Sequence, residues 1–525
     1  MSVLQRLRGH SFFVLYVFVV FFVVGILVHR DYGVSGDEAA VRKFGIDAFN
    51  YLFGGGKIPT QTDWGFFNPV VTMFMRAMEL LFGLKDGADI WFLRHFITFL
   101  MFFGTVVTFY AIAKKRFCDW PAGRNSPAAS GGWKLPLLGS VMFIVSPRLF
   151  AHGFYNPKDI PSLFFFSLSA WTLLWFLEKK TVPRLLIHIL ITALLISMRV
   201  FGLMMPVLAM IFLWTSPSIS RPRMAALSSI YFLALALFLA LTWPMLWHDP
   251  VHGLVNAFLN TTGRAGGGFY FGQSLSGDAM PWHYLPVWIG ITTPVIYSLF
   301  FLIGSITLWI RCMRNPMRLF QDTQSTGLAL AWFTLPVAAL VLLNIGIFDE
   351  WRHVLFLYPA FLLIALEGIE WSMFALKKFF GKNAQWIVPA LLTIQIASTG
   401  FWMVRNHPFE YAYFSIPTRF IAGNFDLDYW GLSYRAGLQL VAEMDSYEHI
   451  NIFTSSRVGK TGADTLPYDD WNRLYFTTPV EADYILDNFR VHDYEHRFPE
   501  SQKIHSVIVD GLEILAVYKG PDTQK

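Results

Sequence analysis

Charge is what this sequence has least of. Asp, Glu, Lys and Arg make up 15% of its 525 residues, where a soluble domain carries about 25%. That shortfall excludes a chain that lies mostly in water. Cysteine is nearly absent too. Cys118 and Cys312 are the whole complement, and each flanks a basic loop. Two thiols beside loops expected on the reducing side exclude a disulfide scaffold. There is no internal repeat and no low-complexity tract. The net charge of +5 would suggest nucleic acid as the partner of a soluble protein. In a membrane protein, Lys and Arg of the cytoplasmic loops account for it, so no nucleic-acid partner is implied.

What is abundant is apolar sequence, 54% of the chain. A spanning helix needs roughly 20 mostly apolar residues. "SFFVLYVFVVFFVVGILV", Ser11 to Val28, is the first such run, preceded by Arg6 and Arg8 and followed by no small-residue cleavage site. It reads as an uncleaved anchor. Further runs are centred near Met101, Met142, Ala170, Ile191, Val207, Leu235, Leu299, Leu335, Phe361 and Leu392. The expected fold is therefore a polytopic α-helical membrane protein with about 11 transmembrane helices. With the N-terminus inside, the inner loops are "KKRFCDWPAGRNSPAASGGWK", "EKKTVPR", "SISRPRM", "RCMRNPMR" and "LKKFFGKN", all rich in Lys or Arg, as the positive-inside rule requires.

Two domains follow, a membrane domain over 1–404 and a soluble α/β domain over 405–525 on the outer side. Outer loops are expected at 29–90 and 248–283. In the first, "EAAVRKFGIDAFNYLF" puts Val41, Phe44, Ala48, Phe49 and Leu52 on one helical face, an amphipathic helix suited to a membrane surface. "VVTMFMRAMELLFG" is expected to form a second. In the C-terminal part, "YWGLSYRAGLQLVAEMDS" reads as a helix, and "HINIFTS" and "ADYILDNF" as strands. "KIHSVIVDGLEILAVYK" alternates around Asp510-Gly511, a hairpin signature.

The few charges beside the spans fall at one depth, the outer boundary. Asp37 and Glu38 follow the first span. Arg94 and His95 open the second. "SPRLFAHGFYNPKDIPSLFFFSLS" carries Arg148, His152, Lys158 and Asp159 between two apolar runs. Arg199 sits in "SMRVFG", and Asp349, Glu350, Arg352 and His353 in "IFDEWRHVLFLYP". Taken singly, each has an ordinary explanation. Asp37-Glu38 would charge a helix start, Arg94 would snorkel, Asp159 would cap a helix opened by Pro161, and Arg352-His353 would pair with Asp349-Glu350. Together they set both signs of charge at one level on at least four segments. That suits a sugar carried on a lipid phosphate, with cations gripping the phosphate and a carboxylate accepting a hydroxyl proton.

The order of the pieces "GDE", "WFLRHFITFLMFFGTVVTFYAIAKKRF", "SPRLFAHGFYNPKDIPSLFFFSLSAWTL", "PWHYLPVWIGITTPV", "DEWRHVLFLYPAFLLIA" and "HPFEYAYFSIPTRFIAGNFDLDYWGLSYRAG" resembles the GT-C fold membrane glycosyltransferases, notably the protein O-mannosyltransferase and aminoarabinose transferase group. The resemblance implies inverting transfer of a monosaccharide from a polyprenyl- or dolichyl-phosphate donor to a protein, lipid or glycan acceptor. It implies catalytic carboxylates at Asp37, Glu38 and Asp159. It implies donor-phosphate ligands at Arg94, Arg199, Arg352 and His353, and Lys158, beside Asp159, is expected near the phosphate with them. The C-terminal region departs from the β-trefoil of eukaryotic protein mannosyltransferases. Asp37, Glu38 and Asp159 offer hard oxygen donors to a divalent ion. The supply of cations favours a site that requires no metal or other cofactor. Compact loops suggest a bacterial inner membrane with the site on the periplasmic face. The sequon Asn260-Thr261-Thr262 leaves an endoplasmic reticulum open. The rival functions are a secondary transporter or lipid flippase, an oligosaccharyl or polymer ligase of the same architecture, and a partner-binding scaffold.

Overall fold

The computed structural model describes residues 3–56, 69–85, 87–118, 132–247, 249–262, 267–321, 324–343, 345–347, 349–490, 498–499 and 502–521. Part of the first outer loop and most of the first inner loop lie outside these residues. So do the side chains of Arg6, Arg8 and the sequon at 260–262.

The membrane part begins with α1 (Val3–Val28), then α2 (Glu38–Phe53), α3 (Val70–Leu81) and α4 (Ala88–Phe117). It continues through α5 (Lys134–Ile144), α6 (Pro147–Tyr155), α7 (Asp159–Lys179), α8 (Val182–Met198), α9 (Met204–Trp214), α10 (Arg221–Thr242) and α11 (Pro250–Thr262). A short hairpin, β1 (Gly267–Tyr270) with β2 (Gln273–Ser276), precedes α12 (Tyr284–Thr292), α13 (Val295–Arg314) and α14 (Pro316–Gln321). The last helices of this part are α15 (Gln324–Leu342), α16 (Tyr358–Phe380) and α17 (Ile387–Asn406).

Among the described residues seven helices are long and apolar enough to cross a membrane, and the bent pair α5–α6 makes an eighth. Three more expected spans are shorter apolar helices, at Phe12–Val28, Val182–Met198 and Val200–Trp214. Every expected run is helical. The figure of eleven holds only if the bent pair and all three shorter helices cross. The tightest crossing joins α13 to α16. A Cβ on Gly304 would lie 1.9 Å from the Ile364 carbonyl oxygen, and one on Gly368 2.0 Å from that of Phe300. Paired glycines let the two backbones touch, as small residues do between membrane helices.

The bend between α5 and α6 is 67°. Pro147 has no N–H to continue the ladder of α5, and the Ser146 hydroxyl turns back onto the Met142 carbonyl, 2.7 Å away. The apolar run near Met142 therefore ends early. The nine residues after it, with Arg148 and His152, lie across one end of the bundle.

In the amphipathic α2, Val41, Phe44 and Ala48 are buried as the periodicity predicts, while Phe49 and Leu52 are half-buried. The C-terminal part contains α18 (Ser433–Met444), β3 (Ile450–Thr454), α19 (Val458–Gly462), α20 (Tyr468–Trp471), β4 (Leu474–Phe476), β5 (Tyr484–Asp487), β6 (Lys503–Val509) and β7 (Leu512–Lys519). Its sheet has the order β4-β3-β5-β7-β6. β3 runs parallel to β4 and β5, and β7 antiparallel to β5 and β6. The expected hairpin turns at Asp510 and Gly511, both with positive φ, as a tight two-residue turn demands. Helix α18 starts later than its pattern suggests. The buried Asp428 carboxylate accepts the N–H groups of Gly431, Leu432 and Ser433 and folds them into a turn.

Candidate functional site

The site assembles at the bundle end where α1 finishes and α7 and α16 begin. Between α6 and α7, Asn156 does the capping expected of Asp159. Its Oδ1 accepts the N–H of Asp159 at 2.9 Å and that of Lys158 at 3.3 Å. An asparagine before proline is a natural turn former. Its Nδ2 donates to Asp159 Oδ2 at 3.0 Å and lies 3.1 Å from His152 Nδ1. Relieved of capping, the buried Asp159 side chain pairs with Arg199, and its other oxygen lies 3.7 Å from Arg352 Nη1. Asp37 stands at the N-cap of α2 yet makes no cap hydrogen bond. It accepts one from Arg352 Nη1 at 2.8 Å, with Lys158 Nζ 4.0 Å away.

Arg352 is the hub. Besides reaching Asp37, its Nη2 donates to Asp349 at 2.9 Å and to the Tyr429 hydroxyl at 3.2 Å. The guanidinium stands 4.9 Å from the Trp430 ring centroid, and its buried Nε has no hydrogen-bond partner. Asp349 and Glu350 both adopt positive φ, 56° and 65°. That conformation costs a non-glycine residue about 1 kcal/mol or more. The turn sends neighbouring carboxylates to different guanidiniums. Asp349 meets Arg352, while Glu350 meets Arg148. Arg148 also donates to the Tyr413 carbonyl at 2.9 Å. His353 lies within electrostatic reach of Arg352, Arg199, Asp159 and Lys158.

Three carboxylates (Asp37, Asp159, Asp349) thus face three cations (Lys158, Arg199, Arg352). Burial pushes the Asp37 carboxyl up, but Arg352 and Lys158 outweigh it and hold the group below its ordinary range. Burial prevails at Asp349 and Glu350, whose carboxyls are raised despite the guanidiniums beside them. Burial also lowers Lys158 to about 8, aided by Arg199 and Arg352 and opposed by Asp37.

The remaining sequence candidates lie at a neighbouring corner. Glu38, 1% exposed, pairs with His95 at 3.0 Å and accepts the Ser35 N–H at 2.7 Å. Arg94 is fully buried against Glu79, 2.7 Å away. It does not snorkel. Among the described residues neither Glu38 nor Arg94 bonds to the Arg352 cluster. So the structure brings together Asp37, Asp159, Lys158, Arg199, Arg352 and His353, and holds Glu38 and Arg94 apart. Sequence reasoning missed Asn156, Glu79, Tyr429 and Trp430. Asn156-Pro157 carried a turn signal, and Glu79 stood out as a lone acid in an apolar helix. Tyr429 and Trp430 gave no local sign.

For a divalent ion the oxygen donors do not converge. Arg352 stands between Asp37 and Asp159, Glu38 is turned to His95, and among the described residues no group of three or more His, Cys, Asp or Glu could hold a metal.

No protein-family model matches the sequence, and no curated protein sequence matches it. Solved structures do. The oligosaccharyltransferase AglB from Archaeoglobus fulgidus, in complex with an inhibitory peptide and a dolichol-phosphate, superposes with a TM-score of 0.52 and 10% identity, over 91% of this chain and 70% of AglB. ArnT from Cupriavidus metallidurans in the apo state gives 0.49 and 12%, over 96% of this chain and 97% of ArnT. The likeness to AglB is one of fold: this chain has the architecture of the GT-C membrane glycosyltransferases.

Proposed function

We propose that this GT-C-fold chain is a membrane glycosyltransferase. It moves a monosaccharide from a polyprenyl- or dolichyl-phosphate donor to an acceptor hydroxyl, with inversion, at the outer face of the membrane. The observation that carries the reading is Arg352, a buried guanidinium shared by Asp37 and Asp349 and flanked by Asp159, Lys158 and Arg199. AglB has been solved with dolichol-phosphate, so the architecture is compatible with such a ligand.

In the reaction the acceptor oxygen attacks the anomeric carbon from the side opposite the phosphate. The carbon–oxygen bond to phosphate breaks and its electron pair leaves with the phosphate. Arg352, Arg199 and Lys158 are the cations available to neutralise that developing charge. The hydroxyl proton passes to Asp37. A carboxylate held ionised by Arg352 is a weak base, so the proton moves late, once bond formation has made the attacking oxygen acidic. Asp159 positions Arg199 and Arg352 through its ion pairs, and Asn156 positions Asp159.

Transfer of radiolabelled sugar from a synthetic lipid-monophosphate donor, with the full chain in nanodiscs, tests the reading. A covalent product excludes a transporter. Use of only a pyrophosphate-linked oligosaccharide would replace this reading by a ligase. Fused reporters test the sidedness. One placed after Lys525 is expected outside and one near Ser126 in the cytoplasm, and a cytoplasmic C-terminus overturns the placement.

A further inference from the structure

A charge imbalance outside the Arg352 cluster lies where α2, α3 and α4 meet the C-terminal domain. Glu79 is buried and takes Arg94 at 2.7 Å, Arg76 at 3.0 Å and Arg42 at 3.4 Å. Three guanidiniums share one carboxylate. The Arg94 Nε and Nη2 and the Arg76 Nε are buried with no hydrogen-bond partner among the described residues. Glu38, the nearest other acid, is taken by His95 and the Ser35 N–H. Beside this network opens a cavity of about 450 Å³, walled by Arg42 and Lys43 of α2, Trp91 of α4, and Lys460, Thr461 and Asp464 of the C-terminal domain. Among the described residues neither Lys43 nor Lys460 is in an ion pair, and Arg42 and Lys460 act on Asp464 only at electrostatic range. Across network and cavity, and among the described residues, five cations stand against three carboxylates, Glu38 included.

We propose that this cavity binds a phosphate monoester on a lipid-borne acceptor, as an anchor separate from the hydroxyl that attacks beside Asp37. The anion site stands on the charge balance, whereas its role as an acceptor anchor rests on the proposed glycosyl transfer. Unpaired lysines at a junction of two domains, with an aromatic wall and a hydroxyl, suit a phosphate on a sugar headgroup. Both sites draw on α2, Asp37 as its N-cap and Arg42 from its second turn. The lipid follows from the neighbouring surface. Phe53 at the end of α2 and Phe74 and Leu81 on α3 are exposed, an apolar edge suited to the membrane interface.

The test uses the full chain in nanodiscs of phosphatidylcholine doped with phosphatidic acid as the phosphate-monoester probe, with retained lipid counted by native mass spectrometry. Lys43 and Lys460 are exposed, so a Lys43→Glu/Lys460→Glu variant is expected to fold. It should retain phosphatidic acid about tenfold more weakly, while donor affinity at the Arg352 cluster stays unchanged. Arg352→Ala should keep the phosphatidic acid. Equal retention by the double variant and the wild type overturns the site, as does a wild type with no preference for phosphatidic acid over phosphatidylcholine. Displacement by inorganic phosphate without any lipid preference overturns the lipid-borne source. If charge reversal removes phosphatidic acid but no lipid-phosphate donor supports transfer, the anion site stands and the proposed reaction falls.

Discussion

Two groups of charge are buried at opposite ends of the bundle, and they are built differently. Near the ends of α4 and α13 and the middle of α16, Glu367 receives Arg116 through Nη2 at 2.9 Å, Arg311 at 3.2 Å and the Thr326 hydroxyl at 3.0 Å. One carboxylate is saturated by donors from three other helices, and the backbone around it is regular. At the other end Arg352 is shared among carboxylates and keeps an unpartnered Nε, and the turn before it holds two left-handed residues. A saturated pair locks helices together. A cluster with strained backbone and spare hydrogen-bonding capacity has the character of a site that receives a ligand. On that contrast the proposed reading gives stability to the first group and chemistry to the second.

Asp37→Asn should show the largest effect on turnover. Losing a general base costs about 100- to 10,000-fold, and the isosteric amide should leave expression and donor binding intact. Glu367→Gln should do the reverse. It removes the charge that Arg116 and Arg311 share and leaves Arg116 only Glu370, 3.4 Å away, and so lowers the melting temperature in detergent while each folded molecule keeps its turnover. Single-turnover transfer and thermal denaturation of both variants check the pair. Normal turnover in Asp37→Asn, or a catalytic defect in stable Glu367→Gln, would break the comparison.

Arg352→Ala and Arg94→Ala sharpen it further, because one sequence reading gave both arginines to the phosphate. Arg352→Ala removes a cation present in the ground state and in the transition state, so donor affinity and turnover should fall together. Arg94→Ala leaves Glu79 with Arg42 and Arg76 only. Its expected cost is in stability, with donor affinity close to wild type. Donor titration by fluorescence anisotropy separates the two, and equal loss of affinity in both variants would return Arg94 to the donor site.

The sequence was informative wherever the answer was local. Hydropathy located the helices because each apolar run is continuous, and the Asp510-Gly511 turn declared its hairpin because only a few residue types accept positive φ in succession. Charge placement at one depth pointed to the end of the molecule where the Arg352 cluster assembles. It did not sort the charges, since the sorting is tertiary. Asp37 and Glu38 are adjacent, yet one reaches Arg352 and the other His95, over 300 and over 50 residues away in the chain. Asp159 looked like a cap because Asn156, the actual cap, differs from it only in fine geometry. The helix after the bend at Ser146-Pro147 was hidden because Arg148 and His152 break its apolar pattern.

The smallest expected effect concerns Lys158. Burial, with Arg199 and Arg352 nearby, holds its ammonium at about 8, within working pH. Below that value Lys158 is charged and adds to the attraction for phosphate. As pH rises through it, the proton is lost and only Arg352 and Arg199 remain, because arginine keeps its charge. Donor affinity should therefore fall severalfold between about pH 7 and pH 9, an amount typical of one partly screened charge. The limb should appear in kcat/KM, which reports the free enzyme. In kcat it should lie at higher pH, because bound phosphate stabilises the ammonium. Lys158→Arg keeps a cation at the position and removes its titration, so its profile should stay flat across this range. A limb that persists in Lys158→Arg belongs to another group. A wild type without a limb would place Lys158 away from the donor, with Asp37 as its only role.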